Sequence, residues 1–303
     1  MKIAFASCTN LDHYPEQTVW ADIAAQQPDY LFLLGDNIYM DFWPKLGEPE
    51  KWPVDRFERE MRQRYTEQWA QPHFAALLAQ VRQRQGQGGG VYGTWDDHDF
   101  AWDDANGRHV ELAKKRIAAR LFAEFMQTPV SDNGIQHAVP LHHAGQPVGK
   151  AIFLDTRWHR DEPGDHNDLL GEDQFRFLQA ELLHPLPLTL ICAGTPQRRK
   201  GAGWAGYKRD LLRFRQLLGK RKTIMLSGDL HENEFNPPSG DTEMYEIVSS
   251  GAAVKKAKLI GKRRNHGLLD WTPQRTRITL FDKRGSQAYQ IDNAGWGCEE
   301  LDP

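Results

Sequence analysis

The chain has 303 residues, of which 40 % are hydrophobic and 26 % charged, and its ten Trp, fourteen Phe and eight Tyr supply apolar area for a large core. Fibrous and disordered chains are thereby excluded. With 38 Lys and Arg against 41 Asp and Glu the net charge is −3, which argues against a general nucleic-acid coat protein, and three Cys cannot form a disulfide framework and suit a reducing compartment.

In chain order, the apolar patterning predicts a strand at Ile3–Phe5, a helix over Glu16–Gln26, a strand at Tyr30–Leu34, and helices over Asp55–Trp69 and His73–Arg84. The low-complexity stretch Gly86-Gln87-Gly88-Gly89-Gly90 reads as a flexible connection to a strand at Val91–Trp95. A helix over Val110–Met126, a strand at Ala151–Leu154, a helix over Gly171–Leu183, a strand at Leu188–Cys192 and a helix over Tyr207–Leu218 follow. Four strands close the chain, at Thr223–Leu226, Met244–Val248, Arg277–Phe281 and Ala288–Ile291. Strand–helix alternation implies a layered α/β core, and the helix-free strands after residue 240 imply a sheet that is partly antiparallel. No composition shift marks a boundary, so residues 1–303 read as one domain. The apolar runs, such as Tyr30-Leu31-Phe32-Leu33-Leu34, fall far short of the ~18–20 residues of a membrane helix. The N-terminus has one basic residue and too few apolar ones for a signal segment, so the expectation is a cytoplasmic protein with no membrane partner.

Four strands are each followed at once by potential ligands: Ser7-Cys8-Thr9-Asn10, Gly35-Asp36-Asn37-Ile38-Tyr39, Asp96-Asp97-His98-Asp99 and Gly228-Asp229-Leu230-His231. Loops leaving the carboxyl ends of strands in an open α/β sheet converge on one crevice, so these four could build one site. Singly, each has a plainer reading. Asp36 and Asn37 suit a turn or helix cap, and Cys8 suits a small buried hydrophobe. Three carboxylates around His98, directly after an apolar strand, would repel one another unless a cation compensates. Asp229 and His231, two apart, would share one side of an extended backbone and reach one ion. Carboxylate, imidazole and thiolate ligands suit Fe, Zn or Mn, with Ca where oxygens dominate.

The ordered series Phe5-Ala6-Ser7-Cys8, Leu34-Gly35-Asp36-Asn37-Ile38-Tyr39-Met40-Asp41, Thr94-Trp95-Asp96-Asp97-His98-Asp99-Phe100, Leu154-Asp155-Thr156-Arg157, Ser227-Gly228-Asp229-Leu230-His231 and Ser249-Ser250-Gly251 resembles the PhoD-like (alkaline phosphatase D) branch of the calcineurin-like metallophosphoesterases. Trp204-Ala205-Gly206-Tyr207 looks like a further family segment. The resemblance implies a four-layer α/β/β/α sandwich with two mixed β-sheets and a centre of two or more metal ions, Fe with Ca first and Zn or Mn as alternatives. It implies that Asp36 is a bridging carboxylate, that Asp97, Asp229 and His231 are ligands, and that Cys8 and Tyr39 bind iron. It makes His98 the catalytic histidine and Arg157 an arginine that holds a phosphate oxygen. Two positions depart from the superfamily pattern: Ala6-Ser7-Cys8 replaces its first Asp-x-His, and Gln197 stands near the place of an isolated histidine.

The expected activity is metal-dependent hydrolysis of phosphoric esters, diester or monoester, by a metal-bound hydroxide. Such hydrolysis needs accelerations up to about 10²¹ for monoesters, of which one acid–base histidine supplies only about 10²–10⁴, so a metal pair must carry most of it. Asn37, Gln197, Lys255 and Lys256 are candidate substrate contacts. The Lys255–Arg264 segment holds six cations and no acid, reading either as a solvated loop or as a lure for polyanionic diesters, with no stable nucleic-acid complex. Arg198-Arg199-Lys200 is a second such run, and Trp43, Trp52, Trp102 and Trp158 could wall a pocket. The competing readings are a metal-dependent nuclease or amidase, and a metal-stabilised binding protein without turnover.

Overall fold

The computed structural model describes residues 1–41, 48–198, 203–256 and 260–302, without side chains over 255–256 and 260–263. Its strands are β1 (Lys2–Ala6), β2 (Tyr30–Leu34), β3 (Gly90–Thr94), β4 (His137–His143), β5 (Gln146–Phe153), β6 (Leu188–Ala193), β7 (Thr223–Ser227), β8 (Asn233–Asn236), β9 (Met244–Ser249), β10 (Val254–Lys256), β11 (Ile260–Arg263), β12 (His266–Trp271), β13 (Arg275–Asp282), β14 (Gly285–Asp292) and β15 (Cys298–Leu301). The helices are α1 (Val19–Ala25), α2 (Val54–Trp69), α3 (Pro72–Arg82), α4 (Asp97–Phe100), α5 (Leu112–Met126), α6 (Glu172–Glu181) and α7 (Lys208–Leu218). One sheet runs β15-β14-β13-β12-β1-β2-β3 and the other β4-β5-β6-β7-β9-β8, while β10 and β11 pair with each other.

Each sheet is parallel where it carries the ligand loops. In the first, β1, β2 and β3 are parallel and β12 to β15 antiparallel; in the second, β5, β6, β7 and β9 are parallel, with β4 and β8 antiparallel at the edges. Alternate residues of a strand face opposite ways, and that sorts the apolar runs into layers. Ile3, Phe5, Tyr30, Phe32 and Leu34 meet Phe153, Leu190, Cys192, Ile224, Leu226 and Ile247 between the sheets. Ala4, Ala6, Leu31, Leu33 and Val91 face outward onto Trp20, Phe57, Phe74 and Phe122 of α1, α2, α3 and α5. Ile152, Ile191, Ala193 and Met225 face the other way, onto Phe175, Leu178, Phe214 and Leu218 of α6 and α7. Helices, sheet, sheet and helices are thus the four layers, and burial on both faces is why the strands read as continuous apolar runs.

The predicted strands and helices are all present, with ends shifted by a few residues. Among the described residues six strands and one helix escaped the pattern. In β12 the bare Cα of Gly267 lets the Phe5 ring pass, for a Cβ there would lie 2.1 Å from a ring carbon. Pro140 in β4 and the paired Glu299 and Glu300 in β15 are tolerated because both strands are sheet edges. Trp52 and Trp158 are buried in the first helical layer's core and Trp102 packs against it, so none of these three is a free-standing pocket wall. Trp43, Arg199 and Lys200 lie outside the described residues. Among the described residues no helix is long and apolar enough to cross a membrane.

Candidate metal centre and active site

The parallel strands deliver their following loops to one end of the sandwich. Backbone bonds knit those loops together. Cys8 N–H donates to Gly35 O at 3.2 Å, Thr9 N–H to Asp36 O at 2.9 Å, Gly228 N–H to Gly194 O at 2.9 Å and Ala252 N–H to Ser7 O at 2.9 Å. The turns are sharp: Cys8, Asp36, Asp229 and His231 have φ of 61°, 51°, 73° and 56°. Four non-glycine residues in the left-handed region cost of order 1–3 kcal/mol each, and such strain concentrates where a site over-determines the backbone. Gly35, at φ 90°, permits a close approach of the β2 and β3 loops, since a Cβ there would meet Asp96 Cβ at 2.7 Å. The Asp229–His231 segment is therefore a left-handed bend and not the extended pair expected from its spacing. Both residues nevertheless line one cleft of about 280 Å³ with Asp36, Asp97, His98, Asp103 and Asp104.

Among the described residues two groups of side chains have ligand atoms within 4.8 Å of one another: Cys8, Asp36 and His231, and Asp36, Asp97 and His98. Asp36 belongs to both. It is 2 % exposed; its Oδ2 accepts from the Cys8 thiol at 3.1 Å and from Tyr39 O–H at 3.3 Å, while its buried Oδ1 has no partner among the described residues. Leaving such an oxygen orphaned costs about 1–3 kcal/mol or more when charged. Burial, then the Cys8 sulfur and Asp97, push the Asp36 carboxyl well above its usual range. Burial likewise pushes the Cys8 thiol up to about 11, against opposing hydrogen bonds from Ser250, Ser7 and Asp36. A cation between these groups would satisfy Oδ1 and reverse both shifts, so the residues present fit metal ions.

His98 sits at the cleft wall with Nδ1 2.6 Å from Asp41 Oδ1, Nε2 3.7 Å from Asp103 Oδ1, and its ring 4.1 Å from that of Tyr39. Burial pulls its pKa down, but Asp97, Asp36 and Asp41 outweigh that and hold the imidazolium well above its usual range. Tyr39 O–H lies 3.5 Å from His231 Nε2, which ties the β2 loop to the β7 loop.

The PhoD-like phosphatase family model matches residues 3–266. The chain belongs to that family. Among solved structures, one described as PhoD is 18 % identical, aligns over 100 % of this chain and 71 % of its own, and superposes with a TM-score of 0.74. A dimetal phosphatase from Danio rerio is 10 % identical over 93 % of this chain and 95 % of its own, with a TM-score of 0.54. At those identities the likenesses establish the shared fold. No curated protein matches the chain.

Within this PhoD-like phosphatase, Arg157 is placed differently from the phosphate-holding residue implied by resemblance. It is 1 % exposed; its Nε donates to Asp96 Oδ1 at 2.5 Å and its Nη1 to Ala105 O at 3.1 Å, and Nη2 lies 3.5 Å from Asp97 Oδ1. The guanidinium is spent inside the protein, where it backs Asp97. Burial raises the Asp97 carboxyl, but Arg157 and His98 outweigh that and hold it well below the usual range. Asn37 also turns inward, with Nδ2 donating to Thr94 O at 3.0 Å and Asp99 Oδ2 at 2.5 Å. Gln197 is set beside another group: its N–H donates to Glu246 Oε1 at 2.5 Å and its Oε1 accepts from Arg215 at 3.3 Å. Lys255 and Lys256 lie in β10, and their side chains are outside the described residues. Sequence reasoning gave no role to Asp41, the partner of His98, to Asp99, or to Ser250, whose Oγ is 3.1 Å from Cys8 Sγ and accepts from His231 N–H at 2.9 Å. The quoted motifs contained all three residues; their partners come from distant loops, and that pairing is what a linear pattern lacks.

Proposed function

We propose that this PhoD-like phosphatase hydrolyses phosphoric esters at a centre of two metal ions that share Asp36. The observation that carries this reading is the buried, unpartnered Asp36 Oδ1 at the junction of two ligand groups. Cys8, Asp36 and His231 would hold one ion, and the sulfur and imidazole suit Fe or Zn. Asp36 and Asp97 would hold the other, whose oxygen-rich surroundings suit Ca or Mn, with Asp229 on the cleft wall available to either. When bound, such ions lower the pKa of a water and neutralise charge on the phosphoryl oxygens.

The protein's own groups supply the rest. His98, held by Asp41 through Nδ1, presents Nε2 to the cleft and carries the proton that the leaving oxygen needs. Asp41 remains its partner when cations neutralise Asp36 and Asp97, so the ring keeps its orientation. Tyr39 packs against His98 and hydrogen-bonds Asp36, fixing the two relative to each other. Arg157 acts on Asp97 and not on substrate. Loading the purified protein with Fe, Zn, Mn or Ca and assaying p-nitrophenyl phosphate and its bis-ester tests the reading. Hydrolysis that is lost to chelators and restored by metal is expected, and the better of the two substrates assigns monoester or diester preference. Metal-bound protein that turns over neither ester would contradict it.

A further inference from the structure

Asp99 is buried with no exposed surface and makes no contact with the cleft, yet four donors converge on it. Its Oδ1 accepts from Asp96 N–H at 2.7 Å and Asp36 N–H at 3.3 Å; its Oδ2 accepts from Asn37 N–H at 3.0 Å and Asn37 Nδ2 at 2.5 Å. The donors belong to two loops, the one after β2 that carries Asp36 and the one after β3 that carries Asp97 and His98. Asp99 is also the third residue of α4, where it and Asp96 cap each other's backbone reciprocally, fixing the first turn from which Asp97 and His98 project. The β2–β3 ladder ends at the Leu34–Thr94 pair, so it cannot set the loops beyond it.

We infer that Asp99 is the positioning residue of the metal centre, a single carboxylate that clamps the loop of the shared ligand Asp36 to the loop of Asp97. The inference rests on the two-ion reading of Asp36 and Asp97. A carboxylate suits this place because it has about four acceptor sites and no donor. An amide would turn an NH₂ toward one of the two donor pairs, losing two hydrogen bonds and opposing N–H to N–H. Asp36 is especially exposed to such a loss, because its left-handed backbone persists only while the surroundings enforce it. Partners that orient metal ligands from behind are typically worth 10–100-fold in metal affinity.

The test is calorimetric titration of Mn(II) into chelator-treated protein, comparing wild type with Asp36→Asn, Asp99→Asn and Asn37→Ala, each first checked for native near-ultraviolet circular dichroism. Wild type is expected to bind two ions, and Asp99→Asn to bind them with a Kd about 10–100-fold weaker. Asn37→Ala, which removes one of the four donors, should shift Kd the same way by less. A folded Asp99→Asn with a Kd within twofold of wild type overturns the assignment. If Asp99→Asn does not fold, Asn37→Ala decides: a Kd within twofold of wild type overturns it. Failure of the two-ion reading looks different, because Asp36→Asn would then bind Mn(II) as wild type does.

Discussion

Asp36→Asn is expected to lower kcat/KM by at least about 10⁴, beyond the about 10²–10⁴ that one acid–base group supplies, because it replaces the carboxylate common to both ligand groups by a neutral amide with a single oxygen. The same substitution should stabilise the metal-free protein. Asn tolerates the left-handed φ of 51° and keeps the size of the side chain, while the buried carboxylate with its orphaned Oδ1 is replaced by a neutral amide. Relief of about 1–3 kcal/mol is the expected scale, read as a higher midpoint of urea unfolding with chelator present. In excess metal the order should invert, since only wild type gains from binding. Opposite signs with and without metal would distinguish a ligand from a merely tolerated buried acid. An Asp36→Asn protein as active as wild type would remove the basis of the proposed site.

His98→Asn is the second large effect. As the proton donor to the leaving oxygen, His98 should be worth about 10²–10⁴ in kcat on an alkyl phosphate. It should be worth far less on p-nitrophenyl phosphate, whose leaving anion is stable without a proton. Metal content should stay at the wild-type value. Asp41→Asn should reproduce the pattern more weakly, because the ring then keeps an acceptor but loses the negative charge 2.6 Å away that orients it. Equal losses on both substrates together with a loss of bound metal would make His98 a ligand, a role its place in the Asp36–Asp97 group also permits geometrically.

Much of this was legible in the sequence because strand-end loops announce themselves: an apolar run ends and a Cys, Asp or His follows. Cys8, Asp36, Asp97 and His231 converge as that pattern implies. Asp229 reaches the same cleft, though through a left-handed bend that alternation along a strand does not describe. What the pattern hides is depth. Arg157 follows a strand like the others, but nothing in the order of residues says that its guanidinium turns down onto Asp96 instead of out to a phosphate. Asp99 is hidden for another reason. Read linearly it is one more acid beside His98 that needs a cation, whereas three of its four donors are backbone amides, which have no sequence signature. Short or irregular strands such as β8 and β12 fall below what alternation can reveal, and their pairing with β9 and with β1 and β13 is what defines them.

The proposed chemistry depends on Asp36 standing between two metal ions. Anomalous difference maps from crystals of the metal-loaded protein, collected on either side of each metal edge, test it most directly. Two peaks are expected, one beside Cys8 and His231 and one beside Asp97, with Asp36 reaching both. A single peak that does not touch Asp36, or peaks only at sites away from this cleft, would rule out a shared Asp36.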